Sequence, residues 1–216
     1  MTQEQDIQKS VHKGTTTVGI VCKDGLVLAA DKRASAGYLI ANKKMDKIHK
    51  ISDKAVVTMA GLVSDAQLIV KLARAEIELK KIRTEHDPST KEIANLLGNI
   101  LYQNIRKMSM VPGIVGFLLG GVDKKGFHLY EIGIDGSITP SDDYVSNGSG
   151  SILAYGVFEA LYNQNITIKE GIELAKKAIG AAMQRDMPTG DGLDIFIVTE
   201  KGIQKAAGYK VEQVLK

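Results

Sequence analysis

The stretch GTTTVGIVCKDGLVLAADKRAS, Gly14 to Ser35, holds the two features from which the rest of the chain can be read. Thr15–Cys22 is a run of β-branched and apolar residues, and Leu26–Ala30 is a second apolar run. Between them Lys23-Asp24-Gly25 is a turn signal, so the stretch predicts a β-hairpin. The hairpin begins abruptly. The fourteen residues before Thr15, MTQEQDIQKSVHKG, contain only Met1, Ile7 and Val11 as apolar residues beside the polar remainder, and have little to pack with. The boundary between a weakly packing head and a strong strand therefore falls at Gly14-Thr15.

Outward from this hairpin the pattern comes in blocks. Tyr38–Ala41, Lys47–Ile51 and Ala55–Ala60 read as short strands. From Ser64, the spacing of Leu68, Leu72, Ala75, Leu79 and Ile82 predicts a helix. A second stripe, Ile69, Ala73 and Ile77, suggests that this helix is buried on more than one side. Ser89-x-x-Glu92 is a capping-box signal for a second helix carrying Ile93, Leu97, Ile100 and Ile105. Strands return at Ile114–Val122, Phe127–Gly133 and Ser137–Thr139. One helix then follows Ser149-Gly150-Ser151 and runs to about Asn163; another starts at Thr167 with Glu170 three residues on. Leu193–Thr199 and Ile203–Ala206 close the chain as strands. Strands and helix pairs in blocks argue against a parallel doubly wound sheet. They favour a layered α+β arrangement, two stacked sheets with helices outside, in a single domain.

Composition sets the outer bounds. Of 216 residues 28 are Lys or Arg and 25 are Asp or Glu, a formal charge of +3 that is too small to argue for nucleic acid as a partner. A single cysteine cannot close an internal disulfide, and the packed-core role suits Cys22 inside an apolar strand. The longest apolar runs fall short of the roughly 20 residues a membrane helix needs, and the head lacks the basic start and apolar centre of a signal peptide. The expectation is a cytoplasmic protein without membrane contact. Phosphate and hydrolase motifs fail: Gly121–Gly126 has P-loop spacing but is followed by Phe127, and no G-x-S-x-G elbow occurs. The four histidines show no metal-ligand spacing, so neither a metal nor a cofactor is expected.

What survives is Thr15. A threonine hydroxyl is a weak nucleophile without an adjacent base. If the chain is cut after Gly14, Thr15 gains an α-amine of ordinary pKa about 7.7–8, and nucleophile and base share one residue. Taken alone, Thr15-Thr16-Thr17 is equally a plain strand. Together, GTTTVGI, LAADKRAS (Leu28–Ser35), TMAGLVSDAQ (Thr58–Gln67), SNGSGS (Ser146–Ser151) and QRD (Gln184–Asp186) resemble the 20S proteasome β-subunit family, its archaeal members above all. The resemblance runs in order from Thr15 to about Thr199. It implies the N-terminal-nucleophile fold, an α+β four-layer αββα sandwich, and a threonine endopeptidase (15–216) preceded by a propeptide (1–14) removed at Gly14-Thr15.

The resemblance also implies roles. Thr15 matches the nucleophile, Asp31 and Lys47 the charged pair beside it, Ser149 and Asp186 the groups supporting its amine, and Gly61 the backbone N–H that binds the oxyanion. Arg33 and Thr189 match supporting positions. In Asp186-Met187-Pro188-Thr189-Gly190 the chain departs from the family, which commonly has serine where Thr189 stands. Ala34, Ser35, Met45, His49, Met59, Val63 and Gln67 match the substrate pocket. Its apolar character implies cleavage after large apolar residues. Implied partners are proteasome α-subunits and other β-subunits in seven-membered rings (a four-ring barrel of 28 subunits). Unfolded proteins delivered by an ATP-dependent unfoldase are the implied substrates. The alternative is an uncut, non-catalytic β-type ring subunit acting in assembly.

Overall fold

The computed structural model describes residues 14–109, 113–210 and 214–215. The expected propeptide therefore lies outside the described residues except for Gly14. The opening hairpin forms as β1 (Thr17–Cys22) and β2 (Gly25–Asp31), with Cys22 paired to Gly25 and Thr17 to Ala30. Two further strands and one long-range partner extend it. These are β10 (Tyr144–Asn147), which pairs with the outer edge of β1, β11 (Leu193–Thr199), which pairs with β2, and β12 (Gly202–Tyr209) beyond it. The second sheet runs in chain order through β5 (Ile48–Lys50), β6 (Ala55–Gly61), β7 (Val115–Asp123), β8 (Gly126–Ile132) and β9 (Ile138–Ser141). Both five-stranded sheets are antiparallel throughout. A small hairpin, β3 (Ala34–Ala36) with β4 (Leu39–Asn42), leaves the end of β2.

Helix pairs cover the outer faces. The pair α1 (Val63–Thr84) and α2 (Thr90–Ile105) packs on the second sheet; α3 (Ser151–Leu161) and α4 (Ile168–Arg185) pack on the first. Both expected capping boxes form. Ser89 accepts from Glu92 N and Glu92 from Ser89 N; Thr167 and Glu170 do the same at the start of α4.

Three apolar layers follow from strand alternation. Val27 and Ala29 of β2 face α4, whereas Leu26, Leu28 and Ala30 face the opposite sheet and meet Val56, Leu118 and Leu129. On β6 and β7, Val57, Met59, Phe117 and Leu119 point instead to α1 and α2. Each fully buried Leu or Phe stabilises the fold by about 1.5–3 kcal/mol, so the sheet-to-sheet layer alone is a substantial core. The αββα order is thus the observed architecture.

One expectation is corrected. The Leu68, Leu72, Ala75, Leu79 and Ile82 stripe of α1 faces away from the sheet, and Leu68 and Ile82 are 56% and 74% exposed. The second stripe, Ile69, Ala73 and Ile77, is the buried one, joined by Ala66 and Val70. Periodicity marked two apolar sides but could not say which would meet the sheet. The helix is therefore buried on one side among the described residues, not on two.

Cys22 is buried against Gly171 and Val27, with only 4% of its surface exposed. Burial, reinforced by Asp24 and Glu170, pushes its thiol up to about 12. A thiol raised in this way stays protonated at pH 8–9, where an ordinary one begins to ionise. Iodoacetamide at pH 8.5 is expected to leave the folded protein unmodified and to alkylate Cys22 once the chain is unfolded in guanidinium; mass spectrometry reads the difference. Rapid alkylation of the native protein would contradict the packing described.

Candidate active site

The ends of several elements converge on Thr15. Because β1 and β2 are antiparallel, the start of β1 lies beside the end of β2, which brings Asp31 to Thr15 and Thr16. Asp31 N donates to Thr16 O, and Thr16 N donates to Asp31 Oδ1 at 3.0 Å. Lys47 arrives from the second sheet. Its carbonyl accepts from Met59 N at 2.9 Å, which ties it to the edge of β6. Its ammonium donates to Asp31 Oδ1 at 2.7 Å and to Thr15 Oγ1 at 3.0 Å.

The Asp31–Lys47 pair is withdrawn from water, with both residues buried. Asp31 accepts four hydrogen bonds: Lys47 Nζ and Thr16 N on Oδ1, Arg33 N and Gly190 N on Oδ2. Burial pushes the Asp31 carboxyl up, and Lys47 with these N–H donors opposes it. Burial likewise pushes the Lys47 ammonium down, with Asp31 opposing. Each charge is sustained by the other.

On the opposite side of Thr15 stands a chain of hydroxyls and one carboxylate. Thr15 N donates to Ser149 Oγ at 3.3 Å, and Ser149 Oγ donates to Asp186 Oδ2 at 2.6 Å. Ser149 lies in the turn between β10 and α3, and Asp186 caps the end of α4. Thr189 Oγ1 also donates to Asp186 Oδ2 and meets Thr16 Oγ1 at 2.7 Å. The methyl group that distinguishes Thr189 from serine is accommodated, since the residue is fully buried. Arg33 braces the same loop from outside. Its Nε pairs with Asp191 at 2.7 Å and a terminal nitrogen donates to Met187 O at 2.7 Å.

Gly61 ends β6 at φ +128°, and a Cβ there would stand 2.2 Å from Ile114 O, so the position accepts only glycine. Along a strand, alternate N–H groups leave the same edge. Met59 N points to Lys47 O, so Gly61 N–H falls on that edge too, past the start of β5, and Gly61 lines the same cleft as Thr15.

A cleft of about 180 Å³ opens here. Gly14, Thr15, Lys47 and Gly61 line it together with Ala34, Ser35, Met45, Met59 and Val63. No Asp or Glu lines it. Two residues expected in the pocket are not among its lining. Gln67 is exposed one helical turn beyond Val63 on α1. His49 lies on β5 opposite Val57, and its buried Nε2 has no hydrogen-bond partner among the described residues. Burial, helped by Arg74, lowers its imidazole below the usual value.

The sequence reading missed Thr16, Gly190 and Asp191. Gly190 acts through its backbone N–H, which has no side-chain signature. Thr16 carries a legible hydroxyl, but strand alternation gave no reason to aim it at Thr189.

The family model described as proteasome subunit matches residues 11–198. Related proteins named proteasome subunit beta include that of Archaeoglobus profundus, 45% identical over 97% of this chain and 96% of the relative. That of Ferroglobus placidus is 43% identical over 97% and 98%, and that of Methanosphaera stadtmanae 43% identical over 94% and 96%. The chain belongs to the proteasome subunit family. Within that family it is of the archaeal β type, and the four layers described above are the sandwich of the N-terminal-nucleophile hydrolases. Among the described residues no helix of this proteasome subunit is long and apolar enough to cross a membrane.

Every neighbour of the Asp31 carboxylate is a donor, so an amide there must aim NH₂ at other N–H groups. Asp31→Asn is expected to cost about 3–5 kcal/mol, because it also strands the Lys47 charge. Asp31→Asn combined with Lys47→Met should lose less than Asp31→Asn alone. Guanidinium unfolding of the three proteins checks this; a double variant less stable than the single one would contradict it.

Proposed function

We propose that this chain is the catalytic β-subunit of a proteasome, a threonine endopeptidase that frees its own nucleophile by cutting between Gly14 and Thr15. The observation that carries the reading is the contact of Lys47 Nζ with Thr15 Oγ1 at 3.0 Å, within a buried ion pair at the floor of an apolar cleft. A buried cation beside the hydroxyl stabilises the alkoxide that develops during attack.

In the self-cut, Thr15 Oγ1 bonds to the carbonyl carbon of Gly14, whose oxygen it already approaches to 2.8 Å. The hydroxyl proton ends on the Thr15 nitrogen as the carbon–nitrogen bond breaks, while the Lys47 cation stabilises the charge developing on Oγ1. An ester joins Gly14 to Oγ1, and water splits it into a Gly14 carboxylate and a Thr15 with free amine and hydroxyl. In later turnovers the same oxygen attacks a substrate carbonyl while the amine takes its proton and passes it to the leaving nitrogen; water then hydrolyses the ester on Oγ1 and frees the hydroxyl. Ser149 and Asp186 hold that amine, and Gly61 N–H receives the oxyanion. Asp31 keeps Lys47 charged and placed. Arg33 and Thr189 hold the loop that carries Asp186.

The cleft walls, Ala34, Met45, Met59 and Val63, suit a large apolar side chain on the amino side of the cut. The flexible methionines adapt to its shape. No carboxylate is present to pair with a basic residue. The reading includes assembly with α-type subunits and further β-type copies in seven-membered rings. Unfolded chains supplied by an ATP-dependent unfoldase are its substrates. The relatives' name, proteasome subunit beta, supports assembly with other subunits, as does the exposed apolar side of α1, a patch of the kind that partners cover.

Intact mass of the assembled protein is expected to show a chain beginning at Thr15. Thr15→Ala should retain residues 1–14 and lose about 10³-fold or more of peptide hydrolysis. A Thr15→Ala protein that still cleaves peptides overturns the reading, and a natural chain that keeps its head supports a purely assembling subunit. Peptides with a large apolar residue before the cut should be hydrolysed at least about tenfold faster than those with Lys or Glu there. Equal rates would sink the pocket assignment.

A further inference from the structure

The cut proposed above sits after a glycine, although the cleft beside it suits a large side chain. The geometry around Gly14 supplies a reason that lies in this chain's own loop. A Cβ built on Gly14 would stand 2.1 Å from Cβ and 2.2 Å from Cγ of Pro188, and 2.7 Å from Ser149 Oγ. The serine hydroxyl is the end of a short side chain, which can shift within its bonds to Asp186 and Thr15 N. The proline atoms belong to a ring fused to the backbone and cannot swing aside. Nor can the backbone yield easily, because the loop is fastened on both flanks. Arg33 donates to Met187 O on one side of Pro188 and pairs with Asp191 on the other. Thr189 N donates to Asp186 O, and its hydroxyl is held between Asp186 and Thr16. Gly190 lies so close under the Arg33 guanidinium that a Cβ there would be 2.4 Å from it.

We propose that Pro188 is a specificity-determining residue for the self-cut: its ring, clamped by Arg33 and Thr189, admits only glycine immediately before Thr15. The inference rests on the self-cleavage reading above and adds to it the residue that selects the site. The demand for glycine comes from the wall opposite, where a Cβ on Gly14 would meet the Pro188 ring. The wall acts in the uncut chain, where Gly14 is bonded to Thr15 and lies under Pro188. The residue thus separates two specificities, glycine for the single self-cut and large apolar groups for substrates whose side chains enter between Met45 and Met59.

The test uses the full chain, under conditions in which the natural sequence is processed, with intact mass against time as the readout. Gly14→Ala is expected to slow the loss of residues 1–14 by about ten- to a hundredfold, the cost of forcing a methyl group into a packed wall. Adding Pro188→Gly to Gly14→Ala removes both ring atoms from that contact and should restore the rate to within about threefold of Pro188→Gly alone. If Gly14→Ala is cut as fast as the natural chain, or if Pro188→Gly gives Gly14→Ala no relief, this inference is overturned while the self-cleavage reading stands. If the natural chain is never cut at Gly14-Thr15 in the assembled particle, the reading itself falls, and the inference falls with it.

Discussion

The ion pair between Lys47 and Asp31 is the constraint on which the rest of the site depends. Neither charge is tolerable alone at this depth: a lone buried ion costs several kcal/mol even after relaxation. The two residues come from different sheets, Asp31 from the end of β2 and Lys47 from just before β5. The pair therefore works as a register pin. If the sheets slid by one residue against each other, the carboxylate would lose Lys47 while still facing three backbone N–H groups, and the ammonium would be left buried. Sheet stacking and site assembly are one event for this reason. The aliphatic layer of Leu26, Leu28, Leu118 and Leu129 supplies the drive toward burial but little directionality. The ion pair supplies the directionality.

That logic extends to the loops. Reactive groups gather where strands and helices end, because there the backbone can turn side chains inward without breaking a ladder. Thr15 precedes β1, Gly61 closes β6, Ser149 precedes α3 and Asp186 follows α4. Each of these ends is secured by something other than its own element. Gly190 N bonds to Asp31, Arg33 spans Met187 and Asp191, and Gly148 leaves room for Thr15 O. The loop from Asp186 to Asp191 is thus as closely held as a strand, which lets a single proline ring act as a wall.

Much of this was legible in the sequence, for identifiable reasons. The hairpin, both capping boxes and the four helices came from local signals, which need only neighbours in the chain. β10 was missed because Tyr144–Asn147 is four residues long and gains its identity only by pairing with β1, more than a hundred residues away. β3 is three residues long and sits at the root of a hairpin bent by Gly37. The buried side of α1 was misjudged because both stripes are apolar and the choice between them lies in the shape of the opposing sheet. At the site, side chains with distinctive chemistry were placed together by resemblance and met in space; Thr15, Asp31, Lys47, Ser149 and Asp186 are joined through hydrogen bonds. His49 and Gln67 stand off from the cleft because the pattern of a motif does not specify how far a helical turn or a strand edge carries each residue from the opening.

The uncut chain bears on how such a site can arise. Lys47 already touches Thr15 Oγ1 while Gly14 is attached, and Ser149 already accepts from the Thr15 amide. In the proposed reaction the cut therefore reorganises no scaffold. It replaces one amide N–H by an amine in the same place, beside a hydroxyl and a carboxylate ready to hold it. An amide nitrogen cannot accept a proton near neutral pH and the amine can. In the proposed peptidase the base is thus absent until the nucleophile has acted once on its own chain. Lys47, whose ammonium burial pushes down and Asp31 opposes, is the charged group already in contact with the Thr15 hydroxyl for that first step. The ion pair that fixes the sheets is in this view also the one element of the chemistry that must work before the others exist. That is why its geometry is complete with the glycine still in place.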